Sequence, residues 1–307
     1  MTAVTAASAT KASATVVPVV HKHKGRRGRF ALHGFLIALS ALWLFPLLWA
    51  VYTSFRPYSD TQHLGYVSLP GTLSVENFVN AWNQAELPKF YLNTLIVAIP
   101  SVILVLFIAS MVAFGLVRFS GRFNLALLML FTAGNLLPPQ VIIVPLFRIF
   151  LALPLPRFIS DSGSLYDQYI GIILIHIVFQ TGFCVFVLSN YMRTISKELT
   201  EAAVVDGATV WTIYYRVILP LCRPALAALA TLEFTFIYND FFWALMLMKS
   251  GDRRPITSAL NNLQGLFFSN NNLLAAGSLL VAIPTILVFI ALQKQFVRGL
   301  SLGSTKG

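Results

Sequence analysis

The sequence predicts an all-α, polytopic membrane protein with six transmembrane helices, and three observations carry that expectation. Hydrophobic residues make up 57% of the 307 and charged residues only 11%, against roughly 25% charged in an ordinary soluble domain. Six separate windows of the ~20 apolar residues that a helix needs to cross a hydrocarbon core recur along the chain. The 22 Lys and Arg residues concentrate on one alternating set of the segments between those windows, the asymmetry expected of cytoplasmic loops. In a soluble chain a net charge of +11 would point to a nucleic-acid partner. Here it reads as a topology signal, and no nucleic acid is expected.

Residues 1–29 begin with Ala, Thr, Ser and Val and end in a basic cluster (Lys22, Lys24, Arg26, Arg27, Arg29). That composition builds no core and predicts a disordered, cytoplasmic N-terminus. The first span, 30–52, is too long for the 7–15-residue apolar region of a secretory signal and reads as a retained helix. Residues 53–91 form the longest outside loop, punctuated by Pro57, Pro70, Gly71 and Pro88, and predict a short helix-containing cap on the outer face. The second span is 92–117 and the third 125–147, where Pro138, Pro139 and Pro145 predict a bend or break because proline removes a backbone donor. The fourth is 169–192, the fifth 225–248 and the sixth 273–293, giving a membrane domain over 30–298 and a cytoplasmic tail over 299–307. With the N-terminus inside, fifteen of the 22 basic residues are cytoplasmic and seven outside, so both termini are expected in the cytoplasm. Only two cysteines are present, Cys184 and Cys222, which excludes a disulfide framework and predicts buried, reduced thiols.

Between the fourth and fifth spans, residues 193–224 are neither lipid-like nor of disordered composition. Ser196 is placed to cap a helix with Glu198 and Glu201 in its first turns, where carboxylates meet the positive end of the dipole. Gly207 permits the left-handed turn that ends it. Thr209 then caps a second helix from Val210 to about Ile218, and Pro220 and Pro224 stop that helix and start the fifth span. The tip (Ala202, Ala203, Val204, Val205, Ala208) is small and apolar. Such a segment suits a groove on a partner protein or an amphipathic linker on the membrane surface, and the pattern alone fits both.

The residues of this segment resemble a known family. Glu201-Ala202-Ala203, Asp206-Gly207-Ala208 and Val217-Ile218-Leu219-Pro220 are similar to the EAA motif of permease subunits of binding-protein-dependent ABC importers. The Asp-Gly-Ala form is typical of the carbohydrate, maltose-type branch. Residues 137–147, Tyr238-Asn239-Asp240-Phe241-Phe242-Trp243 and the tail 295–307 resemble the same branch. The departures are Val217 where the family usually has isoleucine and Tyr238 where it commonly has tryptophan. The resemblance implies a type I ABC importer permease fold and a coupling helix in which Glu201, Ala202, Ala203, Asp206, Gly207, Ala208, Leu219 and Pro220 transmit ATPase closure to the spans. It also implies the partners: a homologous second permease, a cytoplasmic ABC ATPase dimer and an extracellular solute-binding protein, with a sugar, di- or oligosaccharide, as substrate.

No Gly-Lys dipeptide occurs, so there is no phosphate-binding loop of the G-x-x-x-x-G-K-[ST] form and ATP hydrolysis is expected on a separate subunit. The five histidines show no metal spacing, no nucleophile constellation is present, and neither an enzyme nor a cofactor or metal is expected. Glu233 and Asp240, seven residues apart in the fifth span, fall on one helical face, with Phe236, Asn239 and Trp243 on or near it. Intramembrane carboxylates are costly against lipid. These five residues are therefore expected to line a substrate pathway, with hydroxyl-binding groups and an aromatic surface for a pyranose ring; interhelical hydrogen bonding is the alternative. His176 on the fourth span reads as such bundle glue. An ion-coupled secondary transporter using Glu233 and Asp240 is the rival function, but it calls for internal repeats that this sequence does not display.

Overall fold

The computed structural model describes residues 26–119, 121–134, 138–157, 159–160, 163–263 and 270–301. Most of the expected disordered N-terminus (1–25) and the last residues of the tail (302–307) lie outside them. The chain divides into two compact units, 1–49 and 50–307. The first contains most of α1 (Arg26–Ser54), a 29-residue helix with Pro46 inside it. Its side chains from 28 to 48 are all exposed in the isolated chain, as befits a helix whose surroundings are apolar on every side. The helix starts at Arg26, within the stretch 1–29 where a disordered N-terminus is expected.

In the second unit, α2 (Tyr58–Leu64) and α3 (Glu76–Gln84) build the cap expected over 53–91. The cap is organised by Arg56, which is 1% exposed. Its guanidinium pairs with Asp60 at 2.9 Å and donates to the Gly65 and Tyr66 carbonyls at 3.2 Å and to Ser68 Oγ at 2.9 Å. The planar, five-donor fork of arginine satisfies a loop with no regular structure of its own. Asn77 donates to the carbonyls of Ser54 and Arg56, and Asn272 to those of Thr53 and Arg56, which ties α3 and the last helix to the same turn.

The centre of the unit is α4 (Leu87–Arg118) against α7 (Tyr169–Met192). The two run parallel: Tyr169 Oη donates to Asn93 Oδ1 at 2.7 Å near their starts, and Arg118 reaches the segment just beyond α7 at their ends. Small buried residues, Ala98, Ser101, Ala109 and Ala113 on α4 and Gly171, Gly182 and Cys184 on α7, let the backbones approach. At Gly171 a Cβ would stand 2.5 Å from the Leu165 carbonyl oxygen and 2.9 Å from the Phe150 ring, so no larger residue fits without rearrangement. The third apolar stretch is broken as its prolines predict: α5 (Asn124–Gly134) and α6 (Pro139–Ala152) are bent by 95°. Leu137, part of the resemblance over 137–147, lies outside the described residues.

After α7 come α8 (Lys197–Val205), α9 (Val210–Thr212), a π-helical turn (Ile213–Ile218), α10 (Leu219–Leu221), α11 (Arg223–Tyr238), α12 (Phe242–Leu247), α13 (Ile256–Ala259) and α14 (Asn271–Ser301). Among the described residues four helices, α1, α4, α7 and α14, are long and apolar enough to cross a membrane. The count rises to six if α5 with α6, and residues 210–221 with α11, each form one bent span. Two expectations are corrected here. Pro220 does not stop the second helix of the 193–224 segment, which continues to Leu221 and breaks at Cys222 with a 72° bend. The Leu219 N–H bonds to the Tyr214 carbonyl five residues back, so the turn before Pro220 is widened and accommodates a ring that a regular helix would expel. The fifth stretch, 225–248, is not one helix, because α11 ends at Tyr238 and α12 starts at Phe242.

Candidate functional site: the 193–224 segment and the broken fifth stretch

The first site is the turn between α8 and α9. Ser196 occupies the N-cap position of α8, but its side chain makes no capping bond, contrary to the expectation. The helix is instead held by Thr200, buried, whose Oγ1 accepts from Arg118 Nη1 at 2.8 Å. Its C-terminus closes with two backbone bonds. Ala208 N–H donates to the Ala203 carbonyl at 2.9 Å and Gly207 N–H to the Val204 carbonyl at 3.0 Å. With Gly207 at φ +76°, this is a Schellman cap. No neighbour lies within 4 Å of a Cβ built there, so backbone conformation rather than space calls for glycine. Thr209 Oγ1 then accepts from Thr212 N at 3.3 Å, the cap that the sequence predicts.

The motif residues divide into two sets. Glu201, Ala202, Asp206 and Gly207 are exposed, while Ala203, Ala208, Leu219 and Pro220 are half-buried. Ala203, Ala208 and Leu219 pack on a core cluster that includes Phe114, Leu188 and Tyr214. Tyr214 is the second anchor. It is 1% exposed, its Oη lies 2.7 Å from Ser110 Oγ on α4, and its ring packs 5.3 Å from Phe114. Beside exposed charges such as Glu198, Glu201 and Asp206, the exposed side of the segment carries many large apolar residues: Leu199, Val204, Val205, Val210, Trp211 and Tyr215 all face outward, Val205 at 87%. Trp211 and Tyr215, stacked with centroids 6.1 Å apart, are surface members that the motif does not mark. Their i, i+4 spacing on a short amphipathic helix is the signal that would have found them.

The second site is the polar stripe of the fifth stretch. Its five residues do not form one face. Glu233 is fully buried between α11 and α7, where Cys184 Sγ donates to its Oε1 at 3.1 Å. Asp240 lies beyond the end of α11 and caps α12 through the backbone N–H groups of Trp243 and Ala244, both at 3.2 Å. This cap is the reason the helix breaks, since a carboxylate that satisfies the first donors of α12 cannot continue α11. His176 Nε2 on α7 stands 3.7 Å from Asp240 Oδ2, which places the expected glue residue beside the break. Trp243 is buried against Phe179, centroids 5.2 Å apart. Only Phe236 and Asn239 are exposed, and Asn239 Nδ2 folds back to the Thr235 carbonyl at 2.8 Å. The helical register expected to align Glu233 with Asp240 ends between them. Among the described residues no group of three or more His, Cys, Asp or Glu could hold a metal ion.

The family model for the binding-protein-dependent transport system inner membrane component matches residues 105–302. The chain belongs to this family. The probable ABC transporter permease protein YurM of Bacillus subtilis is 33% identical over 273 residues, 89% of this chain and 86% of that protein. The arabinooligosaccharides transport system permease protein AraQ of the same organism is 30% identical over 283 residues, 91% of this chain and 96% of its relative. Among solved structures, a bacterial ABC transporter involved in import of the acidic polysaccharide alginate has a chain with the same fold at a TM-score of 0.73 and 21% identity, covering 88% of this chain and 98% of that one. The chain is therefore a multi-pass transport permease with the ABC importer permease fold. Membership of this family decides against the ion-coupled secondary transporter.

Proposed function

We propose that this permease is one transmembrane subunit of an ATP-driven importer that moves a di- or oligosaccharide across the cytoplasmic membrane by alternating access. One observation carries the coupling part: the exposed turn of Glu201 to Gly207 closes in a Schellman cap and presents Ala202, Val204 and Val205 between the carboxylates Glu201 and Asp206, and Thr200 and Tyr214 tie it to α4. A tip that is exposed to 87% at Val205 while anchored at its base suits a groove on a cytoplasmic ATPase subunit. An interfacial linker needs no such anchors. The permease would pair with a homologous second permease and receive its substrate from an extracellular solute-binding protein at the cap. The basic residues support both termini in the cytoplasm. Relatives named for arabinooligosaccharides and for melibiose, raffinose and stachyose support a sugar substrate. The exposed Phe236 and Asn239 are the stripe residues best placed to meet it, while Glu233, Asp240 and Trp243 would shape the path from behind.

The test is to reconstitute the permease with its ATPase and binding protein and introduce Glu201→Lys. Membrane insertion is expected to be intact, with substrate-stimulated ATPase activity and uptake lost. Normal stimulated ATPase activity in that variant would sink the coupling assignment.

A further inference from the structure

At the shared end of α4 and α7 the protein holds a cavity of about 790 Å³, of whose lining the coupling reading uses Thr200 and Glu201 but none of the cations beyond the Arg118 anchor. Four cations line it: Arg118 at the end of α4, Arg122 in the following turn, Arg193 just past α7, and Lys197 at the start of α8. Against them stands one carboxylate, Glu201. Among the described residues none of the four is paired with a carboxylate; Arg118 donates to Thr200, and Arg122 lies over the Phe123 ring, 4.9 Å from its centroid. The inner wall is apolar, with Phe114, Val117, Met192 and Ile218. Phe119 lines it and is exposed, and exposed Phe123 follows Arg122 in the same turn. The turn itself is held in place, since Asn124 Nδ2 donates to the Leu116 carbonyl at 2.8 Å.

The location decides what such a cavity suits. Two parallel spans end side by side here, so Arg118 and Arg193 stand together past the ends of their apolar runs, on the side where headgroups follow the hydrocarbon. Unpaired cations above an apolar wall complement an anionic headgroup attached to acyl chains, whereas a small soluble anion has no use for the wall. Exposed aromatics at that level are interfacial anchors. We propose that this cavity is a binding site for an anionic phospholipid, with Arg122 and Arg193 gripping the phosphate and the chains lying against the apolar wall. The site rests on the parallel span ends and the unpaired charges, not on the ATPase-coupling reading.

The test is lipid retention by the full chain in detergent, followed by native mass spectrometry after addition of phosphatidylglycerol or phosphatidylcholine. The wild-type protein is expected to retain phosphatidylglycerol preferentially. R122Q/R193Q is expected to lose that preference by roughly tenfold or more, since two juxtamembrane cations are removed. R122K/R193K should keep it, and R148Q/K249Q, which removes two charges elsewhere, should leave it unchanged. Helicity and monodisperse elution verify that each variant is folded. Equal retention of the two lipids, or equal loss in R148Q/K249Q, overturns the proposal. Displacement of phosphatidylglycerol by millimolar glycerol 1-phosphate would make it a soluble-phosphate site instead. If R122Q/R193Q keeps its lipid but no longer binds an ATPase subunit, the cavity is a protein contact and the proposal also fails.

Discussion

The hydroxyl of Tyr214, in the π-helical turn that follows the exposed motif, lies 2.7 Å from the hydroxyl of Ser110 on α4, and both residues are buried. This pair ties the 193–224 segment to a membrane-crossing helix 104 residues away in sequence. The segment is thereby fastened to α4 rather than left as a loose loop.

Removing that bond should loosen the tie. Tyr214→Phe is expected to cost about 1 kcal/mol and Ser110→Ala a similar amount. The double variant should cost less than the sum, because the partners act as a unit. Thermal unfolding of the purified permease in detergent gives the three values; strict additivity would show that the hydroxyls do not interact.

Gly207 is a conformational requirement. Gly207→Ala places a Cβ at φ +76° and is expected to cost about 1–2 kcal/mol locally. Gly207→Pro removes the N–H that closes the Schellman cap as well and fits no positive φ. The expected outcome is a normally inserted permease in which uptake falls moderately for alanine and is abolished for proline. Wild-type uptake in Gly207→Pro would contradict this.

Arg56 is the buried hub of the cap. Arg56→Ala leaves Asp60 without its partner and several carbonyls without a donor, and is expected to cost about 3–5 kcal/mol. Arg56→Lys should rescue little, since one ammonium cannot replace the fork. The yield of folded protein after detergent extraction checks both.

The split of the polar stripe separates two roles. Asn239→Ala and Phe236→Ala, at exposed positions, are expected to change substrate-stimulated uptake with little effect on stability. Glu233→Gln keeps the acceptor for Cys184 Sγ and the side-chain volume, so uptake should persist. Loss of transport in Glu233→Gln with unchanged thermal stability would return the carboxylate to the pathway.

At the opposite end of α4 from the cavity, exposed Asp252 accepts from Lys89, which holds its carboxyl below the usual carboxylate range. The link belongs to loop packing rather than to either site, because Asn93 also donates to the Asp252 and Arg254 carbonyls, at 2.7 and 3.0 Å.

Much of the 193–224 segment is legible in one dimension because its signals are local. A glycine that must be left-handed and a threonine that caps the next helix each depend on neighbours three or four residues away. The Ser196 cap and the Pro220 stop did not survive folding, since Arg118 anchors α8 from another helix and a π turn absorbs the proline. The fifth stretch is less legible still. Its apolar run gives no sign that Asp240 caps a new helix or that its carboxylate lies 3.7 Å from His176 on α7, some sixty residues earlier.

The sequence by itself determined that the chain crosses a membrane through helices and that 193–224 is a helix–turn–helix segment between two of them, because hydropathy, charge asymmetry and caps are short-range properties; its part in coupling is what the family resemblance implies. Only the tertiary structure decided which motif residues are exposed and which face the core, that Glu233 and Asp240 share no helical face, and that four cations from separate segments meet around one cavity. Those facts depend on how helices pack and bend, and packing joins residues far apart in sequence whose relation no local pattern records.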